Sequence, residues 1–345
     1  MRPRTQRTAR AGSITERDRE NAVEVTGLTK SFGAVRALDR FNLTVRGGTI
    51  CALLGPNGAG KTTAIRILAT LASPDAGQAR VAGHDVAREP ARVRRCIGLA
   101  GQHAAVDEDL TGRENLFIIG LMLHLGRREA RRRADTLLDD YGLADAASRL
   151  VRTWSGGMRR RLDLLASLVV TPQVLFLDEP STGLDPRSRA EIWAAVRKLA
   201  SAGTTVLLTT QYLDEADRLA DDVVILDAGR VVARGTPDGL KDTIGSRVDI
   251  IVEAAADLDT AATVVAGWSS GPPVTDSEQR RLTAPVAADS VTLPELVRHL
   301  DAAGIRAQDV SVRRPTLDEV FLDRTGGGHR RSDAVRDAAQ RGVVA

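Results

Sequence analysis

The chain has 345 residues, 43% of them hydrophobic and 27% charged, so it can bury the cores of about two or three globular domains. Its formal net charge is only +3, and the first 20 residues alone carry six arginines against three acids. Because a nucleic-acid protein normally carries its basic excess on the folded domain, this distribution gives no reason to expect a nucleic-acid partner.

The pattern of cysteines and of apolar runs argues against a disulfide-linked, metal-binding, membrane-spanning or secreted protein. Cys51 and Cys96 lie in apolar stretches without disulfide or metal-ligand spacing, which predicts two buried free thiols in a reducing compartment. The histidines lack ligand spacing, so no metal site made of protein side chains alone is expected.

The longest apolar run, Leu116–Leu125, is half as long as a ~20-residue membrane helix. Residues 1–22 predict a disordered basic arm without the apolar segment of a secretory signal. A cytoplasmic protein with at most peripheral membrane contact is expected.

The next part of the chain alternates strand and helix patterns. Ile50–Leu54 predicts a buried strand that ends in a Gly-rich turn, and Thr62–Leu71 has helical spacing. Val174–Leu177 and Thr204–Thr209 predict two more buried strands, with a helix over Arg187–Ala200 between them. Strand, helix and strand in this order indicate a parallel sheet with right-handed crossovers.

Two segments within this α/β region have other patterns. His103–Arg161 is rich in Arg and Leu with a helical period, and it predicts an inserted helical lobe. Val223–Leu226 and Val231–Val232 predict a hairpin that closes the α/β domain, which we place at residues 23–240.

A change of pattern follows after residue 244. Residues 245–325 predict a small α+β domain that either stabilises a dimer or regulates it, and residues 326–345, which open with three glycines, predict a flexible tail. The predicted elements are a strand at Arg247–Glu253, an amphipathic helix at Leu293–Ala303, a strand at Ile305–Val312 and a short capped helix at Thr316–Leu322.

The segment Gly55–Thr62 matches G-x-x-x-x-G-K-[ST] directly after a strand and before a helix. Glycines let backbone N–H groups converge on phosphates, and the helix N-terminus adds its positive end. Lys61 can reach the β- and γ-phosphates, and the Thr62 hydroxyl can ligate Mg²⁺. The predicted phosphate-binding residues are Gly55, Pro56, Asn57, Gly58, Ala59, Gly60, Lys61, Thr62 and Thr63.

Two acids follow the buried strand Val174–Leu177. Asp178 is predicted to hold Mg²⁺ beside this phosphate-binding loop. Glu179 is predicted to polarise an attacking water as a general base. Together with the loop, the pair predicts a nucleotide-hydrolysing P-loop protein.

Trp154–Met158 (WSGGM) resembles the LSGGQ signature of ABC ATPases. Gln102, the segment Ser181–Asp185 and the switch segment Thr209–Gln211 stand around it in the order of that family. The resemblance covers about residues 23–235. It implies a P-loop NTPase of the ABC type, with a RecA-like core, an antiparallel β subdomain and an inserted helical subdomain.

In that family two copies close head to tail on two ATP molecules. By resemblance, Ser155, Gly156 and Gly157 contact the γ-phosphate held by the other copy, and Asp185 links the two sites. Gln102 touches Mg²⁺ and the attacking water. Phe32, 29 residues before Lys61, either stacks on adenine or is a core residue.

The switch position departs from the broad family. It normally holds histidine, whereas this chain has Gln211. An amide can hydrogen-bond a phosphate but cannot titrate. We therefore expect Glu179 to act as the base and Gln211 only to hold the γ-phosphate in position by hydrogen bonding. Slower ATP turnover than with histidine is a possible consequence of this substitution.

Three longer segments narrow the resemblance: Thr209–Asp217, Trp154–Leu162 and Arg314–Leu322. They look like the daunorubicin-resistance type of ATP-binding protein, which powers ABC-2 exporters of antibiotics and sometimes of lipids. The resemblance implies an ATP- and Mg²⁺-dependent homodimer on the inner face of the cell membrane that drives a separate permease.

Several alternatives stay open. A non-transport ABC ATPase would act on ribosomes or DNA, but such relatives usually carry two nucleotide domains or long coiled coils. An ATP-binding switch that barely hydrolyses is suggested only by Gln211. Arg127–Arg133 is either a partner contact or a solvated helix face, and Leu116–Leu125 is either core or docking surface. The exported molecule is not specified.

Overall fold

The computed structural model describes residues 21–101, 106–287 and 290–325, which fold into two compact units. The first unit comprises the chain up to Gln211 together with Ala228–Arg230, and the second comprises Tyr212–Asp227 and the chain from Val231 onward. Residues 1–20 of the predicted arm, the predicted tail 326–345 and Gln102 lie outside the described residues. The predicted arm 1–22 was wrong at its end, because Asn21 and Ala22 begin the first strand, Asn21–Phe32, and Asn21 pairs with Arg46. Within the described residues, no helix is long and apolar enough to cross a membrane.

The first unit alternates strands and helices. In chain order they are β1 (Asn21–Phe32), β2 (Val35–Arg46), β3 (Ile50–Leu54), α1 (Lys61–Leu68), β4 (Ala76–Val81), β5 (His84–Asp85), α2 (Pro90–Cys96), β6 (Ile97–Ala100), α3 (Gly112–Met122), α4 (Arg127–Asp140), α5 (Gly156–Ala166), β7 (Val174–Asp178), α6 (Pro186–Ser201) and β8 (Thr205–Thr210).

The second unit begins with a helix and the predicted hairpin, β9 and β10, which are neighbours in one sheet. Its elements are α7 (Leu213–Leu219), β9 (Asp222–Asp227), β10 (Arg230–Gly235), α8 (Pro237–Asp242), β11 (Ser246–Val252), α9 (Leu258–Val265), β12 (Val274–Asp276), β13 (Arg281–Val286), α10 (Leu293–Ala302), β14 (Ala307–Arg313) and a last helix over 317–325.

A parallel sheet in the order β3-β8-β7-β6 lies in the first unit. Ile50 of β3 pairs with Val206 of β8, and Leu177 of β7 pairs with Ala100 of β6. Every residue of β3, β7 and β8 is buried, as expected of strands covered on both faces. The predicted strands, the helix between β7 and β8, and the α/β architecture are therefore confirmed.

Helix α1 ends three residues before the predicted end at Leu71. Thr70 adopts a left-handed backbone with φ of 63°. The Leu71 N–H donates to the Arg66 carbonyl at 2.7 Å. This bond closes a left-handed cap, and the cap stops the helix at Leu68.

The two cysteines are free thiols, as predicted, but only Cys51 is buried. Cys96 is the last residue of α2, in which Val93 alone is fully buried. The prediction of a buried thiol was therefore wrong for Cys96, which lies half-exposed at the end of an amphipathic helix.

An antiparallel sheet in the order β2-β1-β4-β5 belongs to the same unit. β1 and β2 each have 12 residues, and register shifts interrupt their pairing at several points. Their inward residues, among them Leu28, Leu38 and Leu43, are buried. This sheet was expected only from the family resemblance, because bulges break the alternation that would reveal the strands in the sequence.

Three helices follow β6, as the helical pattern predicts. α3 begins at a capping box, in which the Thr111 hydroxyl accepts the Glu114 N–H and the Glu114 carboxylate accepts the Thr111 N–H. Leu116 is fully buried, whereas Met122 is 72% exposed. The apolar run Leu116–Leu125 is therefore core on one face and exposed on the other.

The arginine-rich run Arg127–Arg133 occupies the start of α4 and is mostly exposed. Arg132 pairs with Glu129 on the surface at 2.5 Å. Arg133 instead donates to the Leu168 and Val169 carbonyls, both at 3.0 Å. Arg131 lies over the Phe117 ring, with Cζ 5.4 Å from the ring centre. The run is therefore a mostly exposed helix face, and its role as a partner contact stays a prediction.

The C-terminal sheet has the order β12-β13-β11-β14. Residues of α9 and α10 pack with it in one apolar cluster that includes Val248, Ile250 and Leu296. The predicted strands near 247–253 and 305–312 and the helix near 293–303 are confirmed within two residues. β12 and β13 were not predicted, because β12 is exposed throughout and β13 contains Pro285.

An ionic network joins this sheet to the last helix. Asp249 of β11 is buried, and its carboxylate accepts hydrogen bonds from Thr283 (2.5 Å), Arg313 (2.5 Å) and Arg281 (2.9 Å). Burial works to raise the pKa of Asp249, but these hydrogen bonds outweigh it and hold the pKa below its ordinary value. Arg313 also pairs with Glu319 at 3.0 Å, at the start of the last helix.

Candidate nucleotide-binding site

The predicted phosphate loop connects β3 to α1. Gly58 and Gly60 have left-handed φ angles of 81° and 105°. A side chain on Gly60 would place its Cβ 3.0 Å from Leu38 Cδ2 and closer still to the Ala37 carbonyl, so glycine is required there. The loop borders a cleft of about 340 Å³ lined by Ala37, Asn57, Gly58, Ala59, Gly60, Lys61, Thr62, Thr63 and Glu179.

Lys61 lies at this cleft and is only 4% exposed. Its Nζ donates to the Gly55 carbonyl at 2.7 Å and to the Pro56 carbonyl at 3.0 Å. Nζ is also 3.9 Å from Glu179 Oε1. Burial lowers the pKa of Lys61, although the charges of Glu179 and Asp178 raise it. An ammonium that lines a cleft in this way can bind an anion there through charge-assisted hydrogen bonds.

Asp178 ends β7 and is 4% exposed. Its Oδ1 accepts hydrogen bonds from the Thr62 hydroxyl at 3.2 Å and from the Thr209 hydroxyl at 2.6 Å. A hydroxyl and a carboxylate oxygen at this spacing fit Mg²⁺, which prefers oxygen ligands and retains water. In the described part of the chain, no group of three or more His, Cys, Asp or Glu could hold a metal. These residues therefore fit Mg²⁺ only together with phosphate and water oxygens.

Glu179 is the acid that lines the cleft, with its side chain 13% exposed. Its backbone is left-handed, with φ of 52°, which costs about 1–3 kcal/mol in a non-glycine residue. Its N–H donates to the carbonyl and the hydroxyl of Thr209, both at 3.1 Å. Its Oε2 accepts from the Thr182 hydroxyl at 3.3 Å. Neighbouring elements thus hold both the backbone and the carboxylate of Glu179.

The predicted signature forms the start of α5. Ser155 is the N-cap, and its Oγ accepts the Met158 N–H at 3.2 Å. Ser155 and Gly156 are exposed, whereas Gly157 is buried. A Cβ on Gly157 would lie 2.6 Å from Ser188 Cβ and closer still to its hydroxyl, so this glycine must stay small. The first turn of a helix has backbone N–H groups without intrahelical partners, and its N-terminus is the positive end of the helix dipole.

Asp185 is the N-cap of α6 and is exposed. Its carboxylate accepts the Ser188 N–H at 2.9 Å and the Ser188 hydroxyl at 2.6 Å. These hydrogen bonds lower the pKa of Asp185. Because the same Ser188 also touches Gly157, it connects two predicted site segments within one chain.

The remaining predicted site residues are placed less centrally. Phe32 is 56% exposed, so it is not a core residue, and Lys30 Nζ lies 5.4 Å from its ring centre. Phe32 does not line the phosphate cleft. Gln211 follows β8 directly and is half-buried. Gln102 lies outside the described residues.

The sequence analysis did not predict several residues whose hydrogen bonds support the phosphate loop. The Gly229 N–H donates to the Ala59 carbonyl in the phosphate loop, and the Asp39 N–H donates to the Gly229 carbonyl, both at 3.0 Å. Asp39 also pairs with Arg230, and this hydrogen bond lowers the pKa of Asp39. Glycine after alanine in a hairpin turn was visible in the sequence, but its contact with the loop depends on tertiary structure.

The phosphate loop, the acidic strand end facing it and the capped Ser-Gly-Gly helix together define an ATP-binding domain of the ABC type. The family model for ABC transporters matches residues 38–182. The daunorubicin resistance ATP-binding protein DrrA3 of Streptomyces coeruleorubidus is 54% identical, over 91% of this chain and 99% of that protein. The daunorubicin/doxorubicin resistance ATP-binding protein DrrA of Streptomyces peucetius is 49% identical, over 88% and 92%.

A solved structure agrees with these relatives. An ATP-binding cassette in a dimeric post-hydrolysis state with ADP and Pi is 25% identical, covers 62% of this chain and 98% of its own, and has a TM-score of 0.57. The chain therefore belongs to the daunorubicin-resistance type of ABC transporter ATP-binding proteins. It binds and hydrolyses ATP, as predicted, and subunits of this kind dimerise and work with membrane permease subunits.

Proposed function

We propose that this chain is the ATP-hydrolysing motor of a drug exporter, coupling closure of an ATP-bound homodimer to efflux through a separate ABC-2 permease. The observation that carries the proposal is that Lys61 and Glu179 line one cleft, while Asp178 accepts a hydrogen bond from Thr62 of the same cleft. A cation for phosphate, a carboxylate for a metal and a carboxylate for water are the groups that phosphoryl transfer to water requires.

Nucleotide binding is assigned to the phosphate loop. The backbone N–H groups of Gly58 and Gly60 and the α1 N-terminus would hold the β- and γ-phosphates. Lys61 would exchange its carbonyl partners for phosphate oxygens. Thr62 and Asp178, with Gln102 by family resemblance, would hold Mg²⁺, which supplies charge neutralisation at the phosphates. By family resemblance Phe32, which is exposed beside Lys30, would stack on adenine.

Hydrolysis is assigned to Glu179. Its carboxylate would accept a proton from the attacking water, and the Thr182 hydroxyl and the held backbone would keep it oriented. Gln211 would position by hydrogen bonding without changing charge, because an amide does not titrate. This assignment separates proton transfer from positioning, and each residue can be tested alone.

Dimerisation is assigned to the exposed start of α5. Ser155, Gly156 and Gly157 would contact the γ-phosphate held by the second copy, and Asp185 would link the sites. Support comes from the exposure of Ser155 and Gly156 and from the dimeric state of the solved relative. Ser155→Arg is expected to block closure, because a long charged side chain would fill the contact surface.

The membrane partner, the location in the cell and the roles of the domains are proposed from the drug-resistance relatives. The partner would be an ABC-2 permease at the inner face of the cell membrane, and the cargo an anthracycline-like drug or a lipid. Residues 23–240 would form the ATP-binding domain, with a helical subdomain at about 103–161. Residues 245–325 would form an accessory domain.

The test is affinity capture of the Glu179→Gln protein from native membranes with ATP and Mg²⁺, followed by mass spectrometry. Recovery of a polytopic membrane protein at one-to-one stoichiometry is expected. Lys61→Ala is the matched control, since it should lose the ATP-dependent dimer. Recovery of ribosomal proteins or DNA-repair factors without a membrane protein would refute the transport assignment.

The cargo is tested separately. Cells that express this chain with the captured permease should accumulate less doxorubicin than cells that express the Glu179→Gln variant with the same permease. Equal accumulation, with intact ATPase activity, would refute a drug cargo and favour a lipid.

A further inference from the structure

Arg160 extends from α5 to the ends of two strands. Its Nη1 donates to the Gly101 carbonyl at 2.7 Å, and its Nε donates to the Pro180 carbonyl at 3.0 Å. Its Nη2 donates to the carbonyls of Glu179 at 3.0 Å and Asp178 at 3.3 Å. Gly101 directly follows β6, and Asp178 ends β7. One guanidinium thus joins α5 to the backbone of the proposed hydrolytic residue.

The site around Arg160 is built for this side chain. Arg160 is 16% exposed, and its charge faces Asp163, which is 2% exposed, at 3.4 Å. A guanidinium offers five N–H donors in a rigid fork, whereas a lysine ammonium offers three from a single point. The four carbonyls are spread across the fork, so lysine would retain the charge while losing most of the hydrogen bonds.

The contact matters because Glu179 has a left-handed backbone. Such a conformation persists only where its surroundings hold it. Thr209 binds the N–H of Glu179, and Arg160 binds its carbonyl. The two partners fix the residue at both of its peptide groups, and thereby fix the direction of its side chain.

We propose that Arg160 is a positioning residue that holds the Glu179 backbone in its hydrolytic orientation and couples it to the signature helix. The first part needs only one chain. The second part rests on the proposed function: in a head-to-tail dimer, Ser155 contacts the other copy's ATP, and Arg160, on the same helix, connects that contact to this copy's own Glu179. Each ATP site would then sense the other through α5.

The test compares Arg160→Lys with Arg159→Lys in the full-length protein. Arg159 is the matched control because its side chain forms a surface ion pair with Glu108 at 2.8 Å. For Arg160→Lys, kcat for ATP hydrolysis should fall about tenfold or more, while KM for ATP stays within about threefold. The Hill coefficient for ATP should fall toward one. Arg159→Lys should change none of these quantities by more than about twofold.

A second comparison separates positioning from general damage. In a Glu179→Gln background there is no carboxylate to orient, so adding Arg160→Lys should not reduce the residual single-turnover rate further. An additional tenfold loss there, or wild-type kcat in Arg160→Lys, would overturn the proposal. If no ATP-dependent dimer of Glu179→Gln forms, the dimer model fails and the Hill effect disappears, but the kcat effect of Arg160→Lys should remain.

Discussion

The contact between Trp154 and Gly112 gives a quantitative prediction. Trp154 stands where the broad signature has leucine, and it is 3% exposed. A Cβ on Gly112, the first residue of α3, would lie 2.6 Å from Trp154 Cζ2 and closer still to Cη2. Carbon atoms normally approach to about 3.5–4.0 Å, so the indole would have to move by about 1 Å in a closed environment.

The sign of Gly112→Ala depends on two opposed effects. Replacing glycine by alanine where the backbone permits it stabilises by about 0.4–1 kcal/mol through the unfolded state. Overpacking a filled core costs about 1–3 kcal/mol. Since Gly112 is buried and faces a buried ring, overpacking should dominate, and we expect a net loss of about 1–2 kcal/mol.

Trp154→Leu should cost about 2–4 kcal/mol, because it leaves a cavity beside Gly112. In the double variant the alanine methyl partly fills that cavity. The two losses should therefore not add, and we expect a favourable coupling of about 1–3 kcal/mol.

The assay is urea unfolding followed by circular dichroism, with ATPase activity measured in parallel. Gly267→Ala is the control, because a Cβ there meets no atom within 4 Å and the change should be nearly neutral. A Gly112→Ala protein as stable as wild type, or a double variant that loses the full sum of the single losses, would refute the packing argument.

Three further changes test the site and the C-terminal network. Lys61→Ala should weaken ATP binding about 10- to 100-fold in a fluorescence titration, because a charged hydrogen bond is lost, whereas Lys198→Ala, outside the cleft, should not. Asp249→Ala should lower the free energy of unfolding by about 2 kcal/mol at pH 7, whereas the control Asp309→Ala should leave it nearly unchanged. The pKa of Asp249 is held below its ordinary value of 3.8. The stability loss in Asp249→Ala should therefore persist above pH 3.8 and become smaller below it. Gln211→His should add a limb near pH 6.5 to the ATPase pH profile that wild type lacks, and an unchanged profile would exclude contact between residue 211 and the reaction.

The sequence correctly predicted the features that depend on local residue patterns, namely the buried strands and the phosphate loop. β3, β7 and β8 are continuous apolar runs because both faces are buried, and the phosphate loop carries its function in its glycines and Lys61. β1 and β2 were not located, since their register shifts remove the alternation. Ser188 and Arg160 were missed for a different reason: each acts through contacts more than 15 residues away in the chain, which no local pattern encodes.

Helix caps explain how three site segments are oriented. Gly60 precedes α1, Ser155 caps α5 and Asp185 caps α6. The Asp185 carboxylate has both oxygens occupied by Ser188, whereas the Ser155 hydroxyl accepts one N–H and still has its own proton to donate. Ser155 can therefore cap its helix and donate to a phosphate oxygen at the same time. Aspartate would cap α5 equally well, but it would meet a phosphate with like charge and no proton, which is a physical reason for serine at this position.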